Sequence, residues 1–116
     1  MKDDRVHLNH ILDCIGAIQD YNASRPDAFL NDRKTHKATL RELQELAEST
    51  QRLSDPLKSK YPDVPWSAIA GFRNVLVHDY LGLSLNRIWE VIERDLPSLR
   101  VVVEIMLKEL EQNNRE

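Results

Sequence analysis

Apolar residues recur along this chain mostly at helical spacing. Leu8, Ile11, Leu12, Ile15 and Ile18 follow the i, i+3, i+4, i+7 rule, which predicts an amphipathic helix over about residues 5–22. It stops before Arg25-Pro26, because the residue preceding a proline is pushed out of the helical region. Residues 23–32 read as a turn with a short helical piece opened by Pro26 and pinned to the core by Phe29 and Leu30. From about Asp32, which suits an N-cap, to Ser54 a second helix aligns Leu40, Leu43, Leu46, Ala47, Thr50 and Leu53 on one side. Arg33, Lys37 and Arg41 lie four apart on another side.

The segment S-D-P-L-K-S-K-Y-P-D-V-P-W holds three of the five prolines and is expected to break regular structure without dividing the domain. A third helix then starts at Asp63 or Pro65 and runs through W-S-A-I-A-G-F-R-N-V-L-V-H, ended by Gly82 or by the loop that Gly82 closes. Ser84 is an N-cap candidate for a short fourth helix presenting Leu85, Ile88, Trp89 and Ile92, and Asp95-Leu96-Pro97 opens a fifth. In that last helix Leu96, Leu99, Val103, Met106 and Leu110 form a bundle seam, with the tail fraying from about residue 111. No stretch alternates cleanly at period two and no Asn-Gly or Asp-Gly hairpin signal occurs, so strands have no support. The expected fold is all-α: an antiparallel bundle of about five helices, with residues 1–116 as one domain.

Composition sharpens this only in places. The chain has 116 residues, and Leu, Ile, Val and Phe supply 33 of them, enough for one core. With 16 basic against 19 acidic residues the net charge is −3, which excludes a purely electrostatic coat for nucleic acid but leaves room for a local basic cleft. A single cysteine, Cys14, excludes an internal disulfide framework and a multi-thiolate zinc site and fits a reducing, cytoplasmic setting. The polar start M-K-D-D-R-V-H-L-N-H carries neither a signal peptide nor a membrane span.

The densest chemistry is R-N-V-L-V-H-D-Y, where Arg73, Asn74, His78, Asp79 and Tyr80 fall within eight residues. On a helix Asn74 and His78 share a face, so the amide could orient the imidazole, whereas Arg73 and His78 diverge by about 140°. They converge on one ligand only if the arginine wraps round, the helix end unwinds, or a second subunit completes the site. Arginine and histidine without an acidic metal cage suit phosphodiester cleavage in RNA: histidine moves protons to or from a ribose 2′-hydroxyl or leaving oxygen, and arginine forks onto phosphate. Spacing alone leaves a plainer alternative open, in which Arg73 and Asp79 form a surface ion pair and His78 is favoured by the helix dipole.

The run Y-P-D-V-P-W-S-A-I-A-G-F-R-N-V-L-V-H-D-Y resembles the HepT toxins of the HEPN superfamily, whose signature is Arg–x4–His–x–Tyr after a Tyr-Pro-Asp-x-Pro-Trp turn and an Ala-Gly-x-Arg-Asn stretch. The similarity extends upstream through F-L-N-D-R and Q-R-L-S and downstream through W-E-V-I-E-R-D-L-P-S-L, covering nearly the whole domain. The resemblance implies a HEPN-like helical bundle and a homodimer whose Arg–His pairs face a shared cleft. It also implies a metal-independent endoribonuclease, the toxin of a toxin–antitoxin system. Arg73 and His78 take the catalytic positions, with Asn74 and Asp79 supporting them. The implied antitoxin is a MntA-like minimal nucleotidyltransferase that transfers AMP from ATP onto Tyr80, where added charge and bulk would repel an RNA phosphate. No cofactor is expected in this chain itself, ATP being used by the partner. The RNA substrate could be tRNA or message, and neither DNA nor a membrane is an expected partner. The family pattern often has Ile-Gly-Glu-Ala in the second helix; here L-A-E-S, Leu46 to Ser49, retains Glu48 and replaces the glycine with Ala47, which bears on how closely another helix packs there.

Other signals have plainer readings. His7, His10 and Cys14 lie along one helical edge, as a metal site needs, but Cys14 also continues the apolar row and no fourth ligand is apparent. His36 reads as surface. The Arg33, Lys34, Lys37 and Arg41 row could track an RNA backbone or be a solvated face balanced by Glu42, Glu45 and Glu48. Trp66 and Trp89 belong to the core more readily than to a base-stacking platform. The competing function is a non-catalytic helical module that binds a minimal nucleotidyltransferase and serves as its substrate or substrate-binding subunit. A third, a small metalloenzyme, would need the His7 edge.

Overall fold

The computed structural model describes residues 3–23 and 28–114. Helix α1 spans Asp4–Asn22 and is capped by Asp3, whose carboxylate accepts from the Arg5 amide. The short α2 covers Ala28–Asn31. Pro26, the expected opener of that piece, lies outside the described residues. Helix α3, Arg33–Arg52, starts at Asp32, whose side chain accepts from the Thr35 amide at 3.2 Å. Helix α5, Trp66–His78, follows Pro65. After a 3₁₀ turn over Tyr80–Gly82, Ser84 caps α6, Leu85–Glu90, by accepting from the Arg87 amide.

Three elements depart from the sequence-based reading. The proline-rich segment contains a helix, α4, Asp55–Ser59. Its Ser54 cap accepts from the Leu57 amide at 3.4 Å and Pro56 sits in its first turn, where a missing N–H costs nothing. No cap separates the fourth and fifth predicted helices either. Helix α6 passes through a π-helical turn, Val91–Asp95, into α7, Leu96–Asn114. The Leu96 amide reaches back to the Val91 carbonyl, so the wider turn shifts the hydrogen-bond register just before Pro97, which has no amide to donate. Finally, α7 continues to Asn114, past the expected fraying point; Arg115 and Glu116 lie outside the described residues. Among the described residues there is no strand, and none of the helices is long and apolar enough to cross a membrane.

The core forms where the predicted stripes meet. Leu8, Ile11, Ile15 and Ile18 from α1 pack with Leu43 and Leu46 from α3, Ile88 from α6, and Val103 and Met106 from α7. Leu12, Leu40, Leu99 and Leu110 are half-buried at its margin. Phe29 is fully buried and stacks on Trp89 with ring centroids 6.0 Å apart, but Leu30 points outward and does not pin α2 as expected. The buried Asn22 amide nitrogen donates to the Ile18 carbonyl at 2.8 Å and to Thr39 Oγ1 at 3.3 Å, while its Oδ1 has no partner among the described residues.

A long-range tie fastens the start of α1 to the entry of α4. The Asp4 carboxylate accepts from the Ser54 amide at 2.8 Å and from Ser54 Oγ at 2.7 Å. Removing this acceptor leaves a half-buried amide and hydroxyl unpaired. Asp4→Ala is therefore expected to destabilise the fold by about 1–2 kcal/mol and to lower Tm by roughly 5 °C, read by thermal denaturation followed by circular dichroism.

Candidate active site

Helix α5 packs on α3, yet Leu76 is its only buried residue. An apolar groove of about 550 Å³ opens between α5 and the start of α7 over α3, lined by Leu46, Ala47, Pro65, Phe72, Leu96 and Leu99 among others. Ala68, which also lines the groove, Gly71, Val75 and His78 form an exposed stripe at spacings of three and four residues, one face of the helix. The Trp66 indole holds the entry of α5 by donating to the Tyr61 and Lys58 carbonyls at 3.1 and 3.2 Å. Trp66 and Trp89 are both half-buried against the core, in structural positions.

Arg73 faces α3. Its Nη2 donates to Glu48 Oε1 at 3.4 Å, its Nη1 donates to Asn74 Oδ1 at 3.2 Å, and its Nε is buried without a partner. Asn74 thus contacts Arg73 rather than orienting His78: adjacent positions let the long arginine fold back over the helix. The Asp79 alternative is also removed, since Arg73 pairs with Glu48. The Asp79 carboxylate instead turns over the 3₁₀ segment, where a Cβ added at Gly82 would lie 3.0 Å from its oxygens. A side chain at Gly82 would displace that carboxylate by a few tenths of an ångström. His78 ends α5, exposed, and its ring makes no hydrogen bond with the described residues. The Tyr80 side chain lies outside what is described. No contact within the chain joins Arg73 to His78, as their angular separation leads one to expect.

Glu48 and Gln44 are the residues that sequence reasoning did not assign. Gln44 Nε2 donates to Glu48 Oε1 at 3.1 Å, one helical turn apart on α3. That hydrogen bond, opposed by burial and reinforced by the Arg73 charge, holds the Glu48 carboxyl below its ordinary pKa. The ion pair therefore persists at neutral pH and is lost only as pH falls through that lowered value.

The His7–His10–Cys14 edge does not converge. His7 is buried, His10 Nε2 sits 3.4 Å from Glu45 Oε1 and 3.7 Å from Cys14 Sγ, and Cys14 is buried. Burial, with the Glu42 carboxylate next in effect, pushes the thiol pKa up to about 12, far from the thiolate a nucleophile requires. Among the described residues no three His, Cys, Asp or Glu side chains could hold a metal ion. Arg33, Lys34 and Lys37 are exposed, and Arg41 pairs with Glu45 at 3.2 Å. His36 is half-buried against the Phe29 ring, 5.1 Å between centroids, and is not the free surface residue expected.

Comparison with known proteins now bears on this geometry. The family model described as "Ribonuclease HepT-like" matches residues 11–106. A protein of Caldanaerobacter subterraneus subsp. tengcongensis, provisionally named an RNase, is 35% identical over 94% of this chain and 99% of its own length. A Thermococcus cleftensis protein named "Probable ribonuclease HepT" is 30% identical over 81% of this chain and 86% of its own. A Methanocaldococcus jannaschii protein whose name joins a gamma-glutamylcyclotransferase to a provisional RNase is 31% identical over 97% of this chain, which spans 51% of that relative's length. No solved structure gives a significant match. The all-helical fold and the position of the match around Arg73 and His78 agree: this chain belongs to the ribonuclease HepT-like family, and its enzyme class is that of a ribonuclease.

Proposed function

We propose that this chain is the toxin of a toxin–antitoxin system: a homodimeric, metal-independent endoribonuclease acting through Arg73 and His78. The observation that carries this reading is an exposed His78, with no hydrogen bond to the described residues, at the end of the same helix that presents Arg73. A group that transfers protons must be open to substrate, and this ring is. In the reaction, a base removes the proton of the ribose 2′-hydroxyl, and the 2′-oxygen attacks the adjacent phosphorus. The P–O5′ bond breaks, and the 5′-oxygen receives a proton. His78 supplies one of these transfers, and Arg73 donates to the non-bridging oxygens as charge builds on them. The products carry 2′,3′-cyclic phosphate and 5′-hydroxyl ends.

Dimerisation along one face of α5 joins the two His78 rings, and each Arg73, which starts on the α3 side, reaches that cleft round the helix. The exposed Ala68–Gly71–Val75–His78 stripe is self-complementary under a two-fold axis, since small side chains let two helices approach closely and each stripe meets its own copy. A seam along it brings two His78 rings to one cleft. The antitoxin is a MntA-like nucleotidyltransferase that uses ATP to place AMP on Tyr80, two residues from His78, where the phosphate repels RNA. The substrate is cellular RNA, tRNA or message, met in the cytoplasm.

The test incubates unmodified protein with total cellular RNA in excess EDTA and maps the fragment ends. Cleavage that persists without divalent metal and leaves cyclic phosphates is expected; cleavage that requires Mg²⁺, or leaves 5′-phosphates, overturns the mechanism. Intact mass after co-expression with a MntA-like nucleotidyltransferase should rise by whole AMP groups in wild type and not in Tyr80→Phe.

A further inference from the structure

Arg73 is held on three sides before any RNA arrives. Glu48 Oε1 accepts from both Arg73 Nη2 at 3.4 Å and Gln44 Nε2 at 3.1 Å, Asn74 Oδ1 accepts from Arg73 Nη1 at 3.2 Å, and Arg73 Nε is shut away from solvent. The Arg73 and Glu48 side chains are each 30% exposed, so their pair lies at the lip of the α3–α5 seam and not deep within it. A guanidinium has five N–H donors in a fixed plane. Two are engaged by Glu48 and Asn74 and one is enclosed, which leaves one N–H on each Nη atom to donate to a phosphate.

We propose that Glu48 is a positioning residue for the ribonuclease reaction: from α3 it fixes the plane of the Arg73 guanidinium so that its two outward N–H bonds face the scissile phosphate, while Gln44 fixes Glu48. This rests on the ribonuclease reading of Arg73 above. The arrangement has two opposite consequences. The carboxylate partly cancels the arginine charge and so weakens ground-state attraction for any phosphodiester. It also removes the rotational freedom of a long side chain, so the donors are already aimed when charge develops on the phosphorane oxygens. Orientation is gained at the expense of ground-state affinity.

Glu48→Gln preserves shape and one acceptor oxygen but deletes the charge. On a labelled RNA oligonucleotide carrying a site cut in total RNA, it is expected to lower KM about two- to fivefold, the effect of a part-exposed charge pair. It should lower kcat on the order of tenfold through loosened aim. Glu48→Ala deletes the acceptor as well and should lower kcat further; Gln44→Ala should shift both constants the same way by less. A merely structural role would lower Tm and reduce kcat in proportion to the folded fraction with KM unchanged, and that pattern overturns the proposal.

A second readout does not depend on catalysis. The Arg73 Nε–H resonance, assigned by its absence in Arg73→Lys, is expected to exchange slowly with solvent in wild type and quickly in Glu48→Ala. An unchanged exchange rate in Glu48→Ala, in a protein that cleaves RNA, overturns the positioning role and leaves the ribonuclease standing. A wild type that cleaves no RNA in any ionic condition overturns the ribonuclease reading itself, and the positioning role with it.

Discussion

Replacing His78 with alanine is expected to slow RNA cleavage by about 10²- to 10⁴-fold, the span over which a positioned proton-transfer group contributes, with no change in Tm. Both halves of this expectation come from one observation. The ring is exposed at the last position of α5 and bonded to no described residue, so truncating it removes no packing and orphans no buried group. Arg73→Ala should also slow cleavage, by about 10²- to 10³-fold as for one lost transition-state donor, but it leaves Glu48 without its α5 partner and so lowers Tm. The pair of variants therefore separates chemistry from scaffolding. Cleavage by His78→Ala at the wild-type rate would exclude a proton-transfer role. No cleavage by either wild type or variant would favour a helical module that docks a nucleotidyltransferase without cutting RNA.

Much of the fold is legible in the sequence because the long helices bury one stripe each, and a stripe is a periodicity. Leu8, Ile11 and Ile15 are found with no exposure because nothing but burial explains that spacing in a chain otherwise rich in charge. Caps are equally local: Asp32 and Ser84 bond the amides that a Ser/Asp N-cap rule assigns them. What escapes the sequence depends on register or on neighbours. Pro56 reads as a breaker until Ser54 is known to cap α4, and Pro97 reads as a helix start until the π turn before it is known. Leu30 is as apolar as Phe29, and only the angle at which α2 lands decides that one is buried and the other exposed.

The candidate site divides along the same line. Arg73, His78 and Tyr80 are found in sequence because they share one helix and its end, so their spacing carries the signal. Glu48 is separated from Arg73 by 25 positions, and no local pattern says which turn of α3 meets which turn of α5. Asn74 shows the opposite error: the i, i+4 rule places it beside His78, while the flexible arm of the adjacent Arg73 reaches it instead. Helical spacing tells which side chains share a face. It does not tell which of them a long neighbour will occupy.

Val75→Glu is expected to convert the proposed dimer to a monomer and to abolish cleavage while leaving each chain folded. Val75 is 39% exposed in the single chain, in a helix that buries only Leu76, so a glutamate there meets water and costs the isolated fold little. Under a two-fold axis every substitution on the seam appears twice, and two like charges facing each other in a partly desolvated contact cost several kcal/mol, enough to raise the dissociation constant at least about 100-fold. Val75→Lys must dissociate the chain in the same way. Since a lysine would strengthen rather than weaken attraction for RNA, loss of cleavage in both variants assigns the effect to the missing partner and not to repulsion of phosphate. Sedimentation velocity at micromolar protein gives the oligomeric state, and the RNA assay in EDTA gives the activity. If both variants remain dimeric, the seam is not on this face of α5. If they are monomeric and fully active, each chain contains a complete site, and Arg73 must swing away from Glu48 and round the helix to join His78 within one protomer. Inactive monomers would show that cleavage needs both chains, with the two His78 rings of the seam in one cleft.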